Sequence, residues 1–251
     1  MTATKDVFFV LDTFKTELED RGYKVLYLGL YGSQNYNLHD KESDIDCKAI
    51  IMPSLHDIIF RNTVSTTINT EYGDIDVKDL VTFYSVIRKG NFSYIEAMAT
   101  KYWIGNQAIK DMLGGYEVNL KSVVGAAHEK RKAMLHEYPS KKKEFKKFGY
   151  DPKQLHHILR LNHILDSLVY LGGTSAYITY DDGDPVKNFL LTLKRGTNDT
   201  IDTVEKAVDM ADDIIGQMKE HLPDDYKFIP TDETEEISSF IENEIVEDLK
   251  Q

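Results

Sequence analysis

The chain has 251 residues, 41% hydrophobic and 29% charged, with a net charge of −12 and one cysteine. That length buries a sizeable core as one unit or two closely packed domains. The lone Cys47 excludes an intramolecular disulfide, and no run of roughly 18 or more apolar residues reads as a membrane span. With no charged-then-apolar leader either, the expectation is a cytoplasmic protein without membrane association. The acid excess is uneven: Asp232 to Lys250 holds eight Asp or Glu against one Lys, whereas His128 to Gly149 holds eight Lys or Arg against three Glu. The negative total therefore leaves a polyanionic ligand open.

Along the first part of the chain, Phe8, Leu11, Phe14 and Leu18 recur at three- and four-residue steps between Asp6 and Arg21. This is an amphipathic helix closed by Gly22. Tyr23 to Tyr31 is an apolar run with strand character, after which Gly32 and Ser33 turn the chain. From Ile45, the residues Ile45, Cys47, Ala49 and Ile51 alternate with Asp46, Lys48 and Ile50, as in a half-buried strand ending at Met52. Ser54 caps a short helix through Phe60, Thr63 to Asn69 predicts a third strand, and Asp74 to Val77 a fourth. Asp79 is placed to cap a helix over Leu80 to Lys89, ended by Gly90, and Asn91 to cap one from Phe92 to about Thr100.

Beyond Trp103 the strand signals fade. Helices are predicted over Leu120 to Glu137, Pro152 to Leu171, Pro185 to Arg195 and Ile201 to Leu222, with caps at Asp151, Asp184 and Asn198 or Asp199 and stops at Gly172 and Gly196. The fold class is α+β. A mixed sheet flanked by helices occupies residues 1–105, a helical domain follows over 106–231, and 232–251 form an acidic C-terminal helix or tail. In that tail Ile237, Phe240, Ile241, Ile245 and Leu249 fall at helical steps.

The chemistry concentrates between Gly32 and Asp46. Alternate strand residues share a face, so Asp44 and Asp46 present two carboxylates side by side. Oxygen ligands of this kind suit a hard divalent cation, Mg²⁺ in particular being held by one or two carboxylates plus substrate phosphates. A Gly-Ser turn suits the phosphates themselves. Gly32 admits backbone N–H groups close to a phosphate, Ser33 adds a hydroxyl donor, and a helix beginning near Ser33 would add its N-terminus. The same residues also suit a solvated loop entering a strand. Asp74 and Asp76 share one face of a later strand, and either can supply a third carboxylate.

Gly-Ser, about ten residues, Asp-x-Asp, then a strand Asp resembles the nucleotidyltransferase superfamily, of polymerase-beta-like fold. The likeness is closer to the YcgL-type predicted nucleotidyltransferases of bacteria and phages. Gly-Ser-x-x-Tyr with Ser-Asp-x-Asp is met by Gly32, Ser33, Tyr36, Ser43, Asp44 and Asp46. Asp74, Asn91 and Glu96 match the branch's Asp, Asn and Glu, and Gly149, Tyr150, Asp151, Lys153, His157 and Arg160 match its Gly-Tyr-Asp-x-Lys-x-x-x-His-x-x-Arg. Gln34 stands where the branch often carries Arg, and Phe92 where it often carries Pro. The resemblance spans Val25 to Pro223.

It implies transfer of a nucleoside monophosphate from a nucleoside triphosphate to a hydroxyl of RNA, tRNA, protein or a small molecule, with release of pyrophosphate. Asp44, Asp46 and Asp74 would hold Mg²⁺ or Mn²⁺, with Asp76 the second choice for the third position. Gly32, Ser33, Tyr36 and Ser43 would meet the nucleotide, with Lys153, His157 and Arg160 from the helical half. Asn91, Glu96 and Tyr150 would support them. Lys153, His157 and Arg160 also share a helix face by spacing alone, where a solvated basic face is the alternative. The other class of reading is a catalytically silent nucleotide- or RNA-binding regulator of the same fold.

Two further features are weaker. The lysines between Lys141 and Lys147, interleaved with Phe145, Phe148 and Tyr150, suit a nucleic-acid backbone or a solvated helix or loop. Cys47 and His156 read as structural.

Overall fold

A computed structural model describes residues 6–40, 43–170, 178–230 and 234–250. The protein is α+β, with an N-terminal sheet and its helices followed by a helical region. The chain divides into two units, one of Met1–Glu117 with Ile229–Gln251 and one of Val118–Phe228.

In the first unit the order is α1 (Val7–Asp20), β1 (Val25–Tyr31), β2 (Asp46–Ile51), α2 (Leu55–Phe60), β3 (Ser65–Asn69), β4 (Asp74–Asp79), α3 (Leu80–Ile87), α4 (Phe92–Ala99), β5 (Trp103–Gly105) and α5 (Gln107–Gly114), with α11 (Thr234–Leu249) from the far end of the chain. The five strands form one mixed sheet in the order β3-β4-β2-β1-β5. β2 and β4 run parallel, and the other neighbours are antiparallel.

The sheet has two distinct faces. On one, Leu28, Leu30, Cys47, Ala49, Ile51, Ile68, Ile75 and Val77 meet Val10, Leu11, Phe14 and Leu18 of α1 in a continuous apolar core. The other presents Asp46 and Lys48 beside Asp74 and Asp76, with Tyr31 opposite Asp46. α4 packs on β1 and β2, and α3 on β4. Being central, β2 is covered on both faces from Cys47 to Ile51. It is therefore not the half-buried strand that the alternation predicts.

Local chemistry sets the helix starts as expected at Asp79, whose Oδ1 accepts the Thr82 N–H at 2.7 Å, and at Asn91, whose Oδ1 accepts the Ser93 N–H at 3.1 Å. Ser54 makes a full capping box with Asp57. The unit boundary falls beyond the expected 105, because α5 follows β5 and packs on α4 and β1. The acidic C-terminal helix likewise belongs to the first unit. Its Ile237 is buried, and its Glu244 pairs with Lys24 at 2.8 Å.

The second unit contains α6 (Leu120–Met134), α7 (Lys142–Phe148), α8 (Pro152–Tyr170), α9 (Pro185–Arg195) and α10 (Val204–Glu220). Helix α8 is its centre and packs on α6, α9 and α10. Its Leu155, Ile158, Leu161, Ile164 and Leu165 are buried at helical spacing. α9 is bounded as predicted by Asp184, Pro185 and a left-handed Gly196. α10 begins later than predicted: Asn198 closes a turn onto Thr200, and Thr203 caps the helix. The expected stop at Gly172 and the Asp232 start of the tail lie outside the described residues.

Candidate functional site

The register of β2 and β4 decides which acids meet. Lys48 lies opposite Asp76 and Cys47 opposite Ile75, so Asp46 and Asp74 stand together at the strand starts. There the Asp74 N–H donates to Asp46 Oδ1 at 3.1 Å, and the other end of Asp74 is steadied by the Asn69 amide, 2.7 Å from Oδ1. Asp44 is exposed two residues earlier and makes no hydrogen bond or ion pair among the described residues. Its neighbour Ile45 donates its N–H to the Tyr72 carbonyl at 2.8 Å, with Gly73 so close that a Cβ there would strike the Ile45 carbonyl.

Asp76 is engaged differently. Its Oδ2 accepts from Lys48 Nζ at 2.6 Å and from the Tyr94 hydroxyl at 3.3 Å, and Lys78 lies 3.6 Å from Oδ1. Lys48 itself is 7% exposed, its ammonium 4.7 Å from the Tyr31 ring centre and 4.3 Å from that of Tyr94. Burial pushes the Asp76 carboxyl up, but Lys48, then Lys78 and Tyr94, outweigh it and hold the group below the usual carboxylate range. Burial and Asp76 raise the Tyr94 phenol well above its ordinary value. As second choice for a metal ligand, Asp76 is already neutralised; Asp74 is the acid that stands beside Asp46.

At the end of β1, Gly32 has φ +82°, and a Cβ there would lie 3.3 Å from Asp46 Oδ2. Glycine thus supplies both the left-handed backbone and the room for the carboxylate. A run of turns follows rather than a helix, the Asn35 N–H donating to the Gly32 carbonyl at 3.0 Å and the Leu38 N–H to that of Ser33 at 2.9 Å. The expected helix N-terminus at Ser33 is not formed. The Ser33 hydroxyl makes no hydrogen bond among the described residues.

Four residues of the motif have positioning roles. Tyr36 is 2% exposed and anchors the turn from below rather than lining a surface. The Ser43 hydroxyl closes a turn on Asp40, accepting its N–H and donating to its Oδ1, each at 3.0 Å. Asn91 is spent on its cap, and Glu96 is wholly buried in α4. A residue outside the motif adds to these: buried Asn35 accepts from the Thr100 hydroxyl at 2.6 Å, tying the turn to the end of α4. Nothing local marks that tie in the sequence. Cys47 is buried on the α1 face, and burial raises its thiol well above the ordinary value.

In the second unit, Gly149 ends α7 in the left-handed conformation and Tyr150 is buried. Asp151 caps α8, its Oδ1 accepting the Lys153 N–H and its Oδ2 the Gln154 amide, both at 3.0 Å. Along α8 Lys153 is exposed, His157 half-buried and Arg160 buried. His157 is held well below the usual imidazole range by burial, then by His156, Arg160, Lys130 and Lys153. His156 is structural, as expected: it is buried, its Nδ1 lies 2.9 Å from the Leu190 carbonyl, and burial lowers its pKa to about 3.

Among the described residues no group of three or more His, Cys, Asp or Glu is arranged to hold a metal ion, and no helix is long and apolar enough to cross a membrane. The donor set nonetheless suits Mg²⁺ in the mode in which few carboxylates and the substrate's own phosphates share it: Asp46 and Asp74 adjoin, and Asp44 is uncommitted. No model of a known family matches the chain, and no curated protein was found to match it.

Proposed function

We propose that the protein is a metal-dependent nucleotidyltransferase of the superfamily its motifs resemble. It would move a nucleoside monophosphate from a nucleoside triphosphate to a hydroxyl. The observation that supports this reading most is the adjacency of Asp46 and Asp74 on parallel β2 and β4, beside the Gly32-Ser33 turn.

Asp44, Asp46 and Asp74 are the residues that would hold Mg²⁺ or Mn²⁺, which when bound supplies charge stabilisation to the transferring phosphoryl group. The chain's own residues bind and orient. Ser33 Oγ and the turn's backbone donors face the triphosphate, and Gly32 keeps that approach open. Asp74 Oδ2, the oxygen not taken by Asn69, receives the acceptor's proton. The acceptor oxygen bonds to the α-phosphorus as the α–β bridging bond breaks and pyrophosphate leaves. Lys48 stays paired with Asp76 and keeps that carboxylate out of the ligand set.

The test is transfer of label from each α-labelled triphosphate to tRNA, total RNA and cell protein. Wild type labels an acceptor, and Asp44→Ala and Asp46→Ala lose that labelling; full labelling by both variants would sink the reading. A catalytically silent binder is favoured by one observation, the absence of a gathered acidic trio among the described residues. Metal-dependent triphosphate binding with no pyrophosphate released under any acceptor would select that alternative.

A further inference from the structure

Within the helical unit, α7 and the turn before it carry chemistry that the sheet carboxylates do not use. At about 100° per residue, Lys142, Lys143, Lys146 and Lys147 fall within an arc of about 140° on one side of α7, while Phe145 and Phe148 fall on the other. The side chains keep that division. All four lysines are exposed, and none makes a hydrogen bond or ion pair among the described residues. The one acid of the helix, Glu144, is turned away from the arc and pairs with Lys141 at 3.5 Å. The aromatic side is seated: Phe145 and Phe148 are half-buried, and the Phe148 ring lies so close to Gly196 that a Cβ there would strike it. Gly149 has as little room against Val204, the first residue of α10. The end of α7 is thus held against the end of α9, whose last turn carries an exposed Arg195 that makes no hydrogen bond or ion pair among the described residues. On the other flank stands Tyr138, 44% exposed, whose carbonyl accepts the Lys141 N–H at 2.8 Å and whose ring lies edge to face with that of exposed His136, 4.4 Å between centres.

We propose that Lys142, Lys143, Lys146, Lys147 and Arg195, with Tyr138 at the edge, form a docking surface for single-stranded nucleic acid. Lys142 with Lys146 and Lys143 with Lys147 are like-charged pairs one helical turn apart, which destabilise a helix in isolation. A polyanion relieves that repulsion, and it gains from release of its condensed counterions. Flexible ammonium groups follow a phosphate backbone without demanding one geometry, and the exposed ring of Tyr138 offers a platform for an unpaired base. An anionic membrane is a poorer match, because a helix lying in a bilayer interface inserts its apolar side, and here Phe145 and Phe148 are turned into the protein. An acidic protein segment would meet the lysines but leave Tyr138 without a base. The inference stands apart from the proposed function, in which none of these residues has a part.

The experiment is fluorescence anisotropy of a labelled uridine dodecamer titrated with the full chain in EDTA over a series of salt concentrations. Binding is expected, with log K falling against log salt at a slope of about −3, from roughly 0.7 for each of about four or five phosphates neutralised. Lys142→Gln/Lys146→Gln should weaken binding about tenfold at low salt and flatten the slope by about 1.4, while Lys142→Arg/Lys146→Arg should keep both. Tyr138→Ala should weaken binding about fivefold or more with the slope unchanged, and Tyr138→Phe should bind as wild type. These side chains are exposed, so the variants should keep the fold, which circular dichroism checks. No binding, unaltered affinity and slope in Lys142→Gln/Lys146→Gln, or tighter binding to phosphatidylserine vesicles than to the dodecamer would each overturn the surface. Label transfer separates the two readings. Lysine-dependent dodecamer binding without any transfer keeps this surface and removes the transferase; transfer by wild type with no dodecamer binding does the reverse.

Discussion

Replacing Lys48 by Met removes the centre of the polar face of the sheet. The side chain gives up an ion pair of 2.6 Å to Asp76 and stacking of its ammonium at 4.7 and 4.3 Å on Tyr31 and Tyr94. Breaking a fully buried pair by deleting one partner costs about 3–5 kcal/mol, chiefly because the other charge is stranded. Two features lower that figure here: the Asp76 side chain is 29% exposed, and Lys78 remains 3.6 Å away. Lys48→Met should therefore cost about 2–3 kcal/mol. Urea denaturation followed by circular dichroism reads this directly. In the double variant Lys48→Met/Asp76→Leu no charge is stranded, so its cost should fall below the sum of the single costs by at least about 1 kcal/mol. A cost under about 0.5 kcal/mol for Lys48→Met, or strict additivity, would refute the assignment of Asp76 to Lys48.

The remaining predictions concern the same unit. Because the folded Asp76 value lies below its unfolded value of about 3.9, the folded state binds fewer protons near that pH. The pair's stabilisation is thus present above that value and lost as pH falls through the folded one, so Asp76→Asn should lose less stability than wild type between about pH 5 and about pH 3 in acid titrations. Gly32→Ala should cost more than Gly22→Ala in urea melts. Both have left-handed backbone, worth roughly 1–2 kcal/mol, but a Cβ at Gly22 meets open space while one at Gly32 presses on Asp46; equal costs would refute that contact. Cys47 should resist thiol reagents until the chain unfolds, and rapid labelling of the folded protein would contradict its burial.

The elements legible in the sequence are those whose signals are local. Asp79, Asn91, Ser54 and Asp184 cap the helices that their positions predict, since capping needs only a side chain and the next turn. Three-residue β5 and short α5, with Ile109 and Leu113 as its buried positions, have too little periodicity to register, which is why the expected unit boundary falls early. The alternation in β2 suggests one wet face. Yet Lys48 is buried there because aromatic rings from β1 and α4 and a carboxylate from β4 enclose it, all distant in the chain. For the same reason Asp74 and Asp76 are indistinguishable by spacing, and the parallel register against Lys48 separates them.

Asp44, Asp46 and Asp74 are the residues proposed to serve the transferring phosphate. Pyrophosphate release measured with each nucleoside triphosphate, Mg²⁺ and an acceptor extract tests this role most directly, using Asp12→Asn, an exposed α1 carboxylate, as the charge-matched control. Wild type and the control should release pyrophosphate, with a loss of about a hundredfold or more in Asp44→Asn, Asp46→Asn and Asp74→Asn, each variant folded by circular dichroism. Undiminished release by the three folded variants would contradict that role.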